Sequence, residues 1–189
     1  NIGTSNNKIS AITLASSSSL AVGNNNIAVR TITLGSGSTI SLGSGTLVAT
    51  TIEGASNGVG SITLQASRTM PTSFGTSSKK LATVAIDASQ TLTTSFHDIY
   101  ADNVSMGSSS TLAAQDGAII SGTINGSSSS RGAVTAAGSV SFSGNIGSSS
   151  SISSLTTASG SSVTFGGNIT TSGDTSFNGE AIFTQSTTT

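Results

Sequence analysis

The segment IGTSNNKISAITL that begins at Ile2 returns 72 residues later as FGTSSKKLATVAI, beginning at Phe74. The register then holds without a gap. Leu20 falls on Leu92, Ile27 on Ile99, Ile32 on Val104, Ile40 on Leu112 and Leu47 on Ile119, while Gly45, Gly54 and Gly60 land on Gly117, Gly126 and Gly132. Nineteen of the 72 aligned positions are identical, more than a chain so rich in Ser, Thr and Gly yields by chance. A third copy opens at Ile146-Gly147 and, after one deleted residue, sets Ile152, Leu155, Val163 and Phe165 in the roles of Ile9, Ile12, Leu20 and Val22. A chain built this way folds as an array of stacked units. We divide it into unit 1 (2–73), unit 2 (74–145) and a partial unit 3 (146–189) of one continuous rod.

A shorter period runs inside the first unit. Apolar pairs two residues apart recur every 20 residues: Ile12 and Leu14 with Ile32 and Leu34, Leu20 and Val22 with Ile40 and Leu42, and Ile27 with Leu47. Residues two apart on an extended strand share a face. The intervening ASSSS, GNNN and GSGS are turn sequences. Three short inward-facing strands per 20 residues, repeated in phase, predict an all-β fold, a parallel β-solenoid with coils of about 20 residues. Between Ile52 and Val84 the phase loosens, and we expect an excursion from the rod near Arg68–Lys80, around Pro71.

Composition agrees with this reading. Charged residues make up 7% of the chain and aromatic residues 4%, with one proline and no cysteine. Disorder goes with low hydrophobicity and high net charge, whereas this chain is 34% hydrophobic with a net charge of -1. Low charge suits a stack in which equivalent positions lie directly above one another, because a column of like charges repels. Without cysteine there is no disulfide framework and no thiolate metal site. No stretch nears the roughly 20 apolar residues of a helical membrane span. The pattern is already running at Asn1, and we read the chain as an internal piece of something longer.

The phrases SFSGNIGSSSSISSLTTASGSSVTFGGNITTSG, from Ser141 to Gly173, and NIGTSNNKISAITLASSSSLAVG, from Asn1, resemble the passenger repeats of bacterial autotransporter and filamentous-haemagglutinin-like surface proteins. They are most similar in style to rickettsial surface-antigen passengers, with recurring GNIG and VTFxGN phrases. The resemblance covers the whole chain. It implies a right-handed parallel β-helix, export across an outer membrane to the bacterial cell surface, and a role in surface coating or adherence. The C-terminal β-barrel pattern and N-terminal secretion domain of that family are not in this sequence.

Little in the sequence points to catalysis. Glu53, Asp87, Asp98, Asp102, Asp116, Asp174 and Glu180 are scattered, and a glycosidase needs two facing carboxylates. The densest group is FHDIYAD, Phe96–Asp102. Strict alternation there puts His97 and Ile99 on the face opposite Asp98 and Tyr100, which argues against a joint site. One histidine makes a multi-histidine metal site impossible within the chain, and the calcium nonapeptide, phosphate-loop and serine-hydrolase motifs are missing. We assign no catalytic, cofactor-binding or metal residues, and no cofactor. Six basic residues without an aromatic platform exclude a nucleic-acid partner. Thr31 and Thr33 start a threonine ladder of the ice-binding kind, but Asn103 and Ser105 stand in their places in unit 2.

Lys79 and Lys80, with Lys8 matching Lys80, form the one repeated basic feature. Together with His97 and Tyr100 they are our candidate partner contacts. Two functions compete. A non-enzymatic adhesin stalk would meet a receptor or glycan on a host or neighbouring cell, whereas a self-assembling filament, sheath or surface layer would meet further copies of itself. Exposed apolar residues at the same place in each unit would favour assembly, and loops that differ between units would favour recognition. Phe74, Phe142, Phe165 and Phe177 we expect to stack inside the rod.

Overall fold

The computed structural model describes residues 1–185, which form short β-strands paired only in parallel, with no helix among them. Most strands are short because they carry one or two inward side chains before a Gly- or Ser-rich turn bends the chain. They stack in three columns, which we term faces A, B and C. Face A runs upward through Ile12, Ile32, Ile52, Phe74, Ile99, Ile120, Phe142, Phe165 and Phe183. Face B runs through Leu20, Ile40, Ile62, Val84, Val104, Ile124, Ile146 and Ile169. Face C holds Ile2, Ile27 and Leu47, then Leu92, Leu112, Val134, Leu155 and Thr175. This is the expected β-solenoid, nine levels tall on face A.

These columns are the core. Ile32, Ile62, Val84, Leu92, Ile99, Val104, Leu112 and Leu155 are wholly buried, so parallel register and hydrophobic burial specify one another: a slip by one residue would turn each inward set outward. Phe74, Phe142 and Phe165 are buried as expected, the last two stacked at 5.6 Å and 10°. Phe177 is half-exposed at the upper end of the rod.

The 72-residue sequence unit is not a whole number of coils. Ile12 climbs three coils on face A to reach Phe74, and ten further residues lead to its sequence equivalent, Val84, on face B. Its equivalent in unit 3, Leu155, is on face C. Ile2, Phe74 and Ile146 follow the same rule, standing on faces C, A and B. One unit is therefore three coils plus one face, and each unit is turned by a third of a revolution from the last. A corner crossed by one unbroken strand turns with it. It is the C-to-A corner at Ile27–Leu34 in unit 1 and the A-to-B corner at Ile99–Met106 in unit 2, each an eight-residue strand bent across two faces.

The structure corrects the expectation for residues 52 to 84. The loose coil runs Ile52, Ile62, Met70, Phe74, Val84, and its surplus residues are at Gly54–Gly60 and Gly75–Lys80. Arg68–Thr69 is a strand of face C and Met70 is buried, so only Pro71 and its neighbours bend outward. Face C is nevertheless interrupted here, because Leu47–Val48 pairs downward only and Arg68–Thr69 upward only. The Arg68 guanidinium spans the gap, donating to the Gly43 carbonyl and, at 3.3 Å, to that of Gly45. Burial holds its pKa below the ordinary arginine value.

Polar residues work at the corners. Ser18, Ser38, Ser110 and Ser161 each donate a hydroxyl to the carbonyl three residues back, closing the ASSSS- and GSGS-type turns. Asn and Asp side chains reach up one coil instead. Asn26, Asp98, Asp116 and Asn145 accept backbone N–H groups of Thr46, Ile119, Ser139 and Asn168 at 2.7–2.8 Å. Each satisfies a donor where the strand ladder ends.

Candidate functional site

The turn entering the corner that one unbroken strand crosses occurs in units 1 and 2 and has a shortened counterpart in unit 3. In unit 1 it is Gly23-Asn24-Asn25-Asn26 before Ile27, and in unit 2 it is Ser95-Phe96-His97-Asp98 before Ile99. Both have a left-handed first residue, with φ of 57° at Gly23 and 55° at Ser95. Both close with a backbone hydrogen bond, Asn25 N–H to the Val22 carbonyl at 3.2 Å and His97 N–H to that of Thr94 at 3.0 Å. Both are anchored to the coil beneath, Asn26 N–H on Asn1 Oδ1 and Asp98 N–H on Ser73 Oγ, at 3.1 and 3.0 Å. In unit 3 the tip is shortened to Gly166-Gly167 before Asn168 and Ile169, with the same anchor from Asn168 N–H to Asn145 Oδ1.

The largest change in chemistry is at the tip. Unit 1 offers two asparagines, and unit 2 replaces them with Phe96 and His97, while Tyr100 stands where unit 1 has Ala28. Two of the chain's seven aromatic residues and its one histidine thus fall within five positions. Phe96 is 74% exposed at the end of the turn, its ring centroid 4.5 Å from that of His97 and tilted by 48°. Asp98 is held at both oxygens. Oδ1 accepts the Ile119 N–H at 2.8 Å, and Oδ2 accepts the Tyr100 hydroxyl at 3.3 Å. Burial, followed by the Asp98 charge and this hydrogen bond, raises the Tyr100 pKa above its ordinary value.

The turn also overturns the alternation argument. Ile99 and Ala101 point inward, whereas Asp98 and Tyr100 share the outer surface, as expected. His97 does not join Ile99, because the Thr94–His97 turn breaks the extended run and leaves it beside Phe96. The segment thus carries two adjoining side-chain pairs, Phe96 with His97 and Asp98 with Tyr100.

The two lysines fall elsewhere. Tyr100 lies over Gly75, whose left-handed φ of 80° starts the turn that carries Lys79 and Lys80 to the A-to-B corner. Lys79 Nζ is 2.7 Å from Glu53 Oε1. Lys80 and Asp102 edge a shallow depression whose floor is Ser121–Thr123, Ser143–Asn145 and Gly166–Gly167. Lys8, the equivalent of Lys80, belongs to the turn that follows Ile2 on face C, so the repeated lysines form no common ridge. The threonine ladder is also short: Thr33 stacks on Thr13 and is followed by Glu53. The sequence singled out the segment Phe96–Asp102 and named His97 and Tyr100 in it as contacts; Phe96 and Asp98 of the same segment now stand beside them. The alignment of GNNN with SFHD was the available signal.

Among the described residues, no three of His, Asp or Glu gather as a metal site, and no helix is long and apolar enough to cross a membrane. Compared with known proteins, the chain matches no family model, no curated protein sequence and no solved structure.

Proposed function

We propose that this chain is the stalk or passenger region of a non-enzymatic bacterial cell-surface adhesin of the autotransporter kind, a rigid rod that carries binding turns away from the cell. One observation carries the reading: a turn that keeps its backbone between units 1 and 2 bears Asn-Asn at the tip in the first and Phe-His in the second, and unit 3 shortens it. Variation confined to the tip of a fixed scaffold is the pattern of recognition surfaces. An exposed apolar side chain repeated in each unit would favour lateral self-assembly instead. Here the exposed Phe96 answers to Asn24, and the exposed Ile119 answers to the buried Leu47.

The test is electron microscopy of the protein in its native form, with image averaging. Separate rods standing from a cell surface support the stalk. Ordered filaments or sheets with a periodic lateral contact would replace it with the assembly reading.

A further inference from the structure

The Phe96 turn is built for contact with something outside the chain. The same backbone stands in unit 1 with asparagines at its tip, so neither ring is needed to form the turn. Phe96 nevertheless leaves 74% of its surface in water, and its ring partner is the neighbouring His97. A ring so exposed presents an open face rather than a pocket. A ligand that lays a flat apolar face against a ring needs none, and the negative face of an aromatic ring attracts polarised C–H groups.

The polar half of the site is also in place. Asp98 is fixed by the Ile119 N–H, and the Tyr100 hydroxyl donates to its other oxygen. The carboxylate and the phenol oxygen retain lone pairs to accept hydroxyl protons. Charge narrows the choice further. Asp98 and Asp102 are the acidic residues of the segment 96–102, Lys79 on the coil below is engaged with Glu53, and Lys80 stands by Asp102 at the depression, away from the ring pair. An anionic ligand would be repelled.

From this juxtaposition we propose that Phe96, His97, Asp98 and Tyr100 form a binding site for an uncharged saccharide, with a sugar ring face on Phe96 and His97 and its hydroxyls on Asp98 and Tyr100. The proposal names a partner class for the adhesin reading and rests on that reading for its biological setting.

The unit 1 turn supplies the test variant, Phe96→Asn with His97→Asn, which copies a tip that this backbone already carries. The chain and the variant are applied to an array of neutral hexose and N-acetylhexosamine oligosaccharides, with circular dichroism as the check on folding. Binding by the parent chain, reduced at least tenfold in the variant, is the expected result. Tyr100→Phe provides a second variant that keeps the ring and removes the hydroxyl, and it should lose several-fold. No binding by the parent chain, or equal binding by both variants, overturns the site. Beads coated with the parent chain are then tested on cells. Adherence without glycan binding, or adherence abolished by protease and not by glycosidase, sinks the saccharide site and leaves the adhesin standing. Absence of both adherence and glycan binding sinks both.

Discussion

The turns at residues 23–26 and 95–98 have the same φ at their first residue, the same closing hydrogen bond, the same anchor below and the same side-chain acceptor for the coil above. They keep these contacts although Ser95 replaces Gly23 and Asp98 replaces Asn26, and they differ in chemistry at the two tip residues and at the alanine or tyrosine that follows the buried isoleucine. Within this six-residue motif Phe96 and His97 carry no part of the turn's hydrogen bonding by side chain, and Asp98 alone is shared between scaffold and proposed site. Paired substitutions test this division directly, since scaffold positions should respond alike in the two units and tip positions should not.

The largest effect is expected in the core. Ile27→Ala and Ile99→Ala each empty a buried position, and each should cost about 2–5 kcal/mol in denaturant unfolding. A wide gap between the two would show that the scaffolds are not equivalent. The glycines beneath come next. An alanine at Gly3 would meet the Ala28 carbonyl oxygen and one at Gly75 that of Tyr100, both at left-handed φ, so each change should cost more than about 2 kcal/mol. Removal of the upward acceptor is smaller. Asn26→Ala and Asp98→Ala each strand one N–H group, a loss of about 1 kcal/mol, read as a shift in denaturant midpoint at constant slope.

At the tip, Phe96→Asn with His97→Asn should change stability by less than about 0.5 kcal/mol. A larger loss would mean that the rings support the fold after all. The smallest effect is a titration. Because the folded Tyr100 pKa is raised, its contribution to stability is present below the ordinary tyrosine value and lost as pH rises through the folded one. Asp98→Asn should lower the ultraviolet-monitored phenol midpoint and leave the part due to burial. An unchanged midpoint would deny the Asp98 contact.

Much of the fold was legible because apolar spacing is a direct record of inward direction. The pairs Ile12 with Ile32, Leu20 with Ile40 and Ile27 with Leu47 stack as their 20-residue spacing implies. The coil between Ile52 and Val84 was not legible. Its extra residues, at Gly54–Gly60 and Gly75–Lys80, share the Ser, Gly and Asn vocabulary of ordinary turns, and nothing in them marks where one face ends. The alignment of Ile12 with Val84 carried no angular information, so the grouping of Lys8 with Lys80 failed even though the repeat itself is sound. The candidate site was half visible. His97 and Tyr100 stood out by rarity, but alternation cannot show that the Thr94–His97 turn resets the strand and leaves His97 beside Phe96.

The non-integral repeat couples length to direction. A duplication or loss of one 72-residue unit would move everything beyond it by about 16 Å along the axis, at roughly 4.8 Å per coil. It would also rotate that distal part by a third of a revolution, to be restored only after three such events. Descendants of one gene that differ in unit number would therefore display the same terminal structures at different azimuths. Recombination between repeats, with no substitution at any contact residue, would be enough to re-aim them.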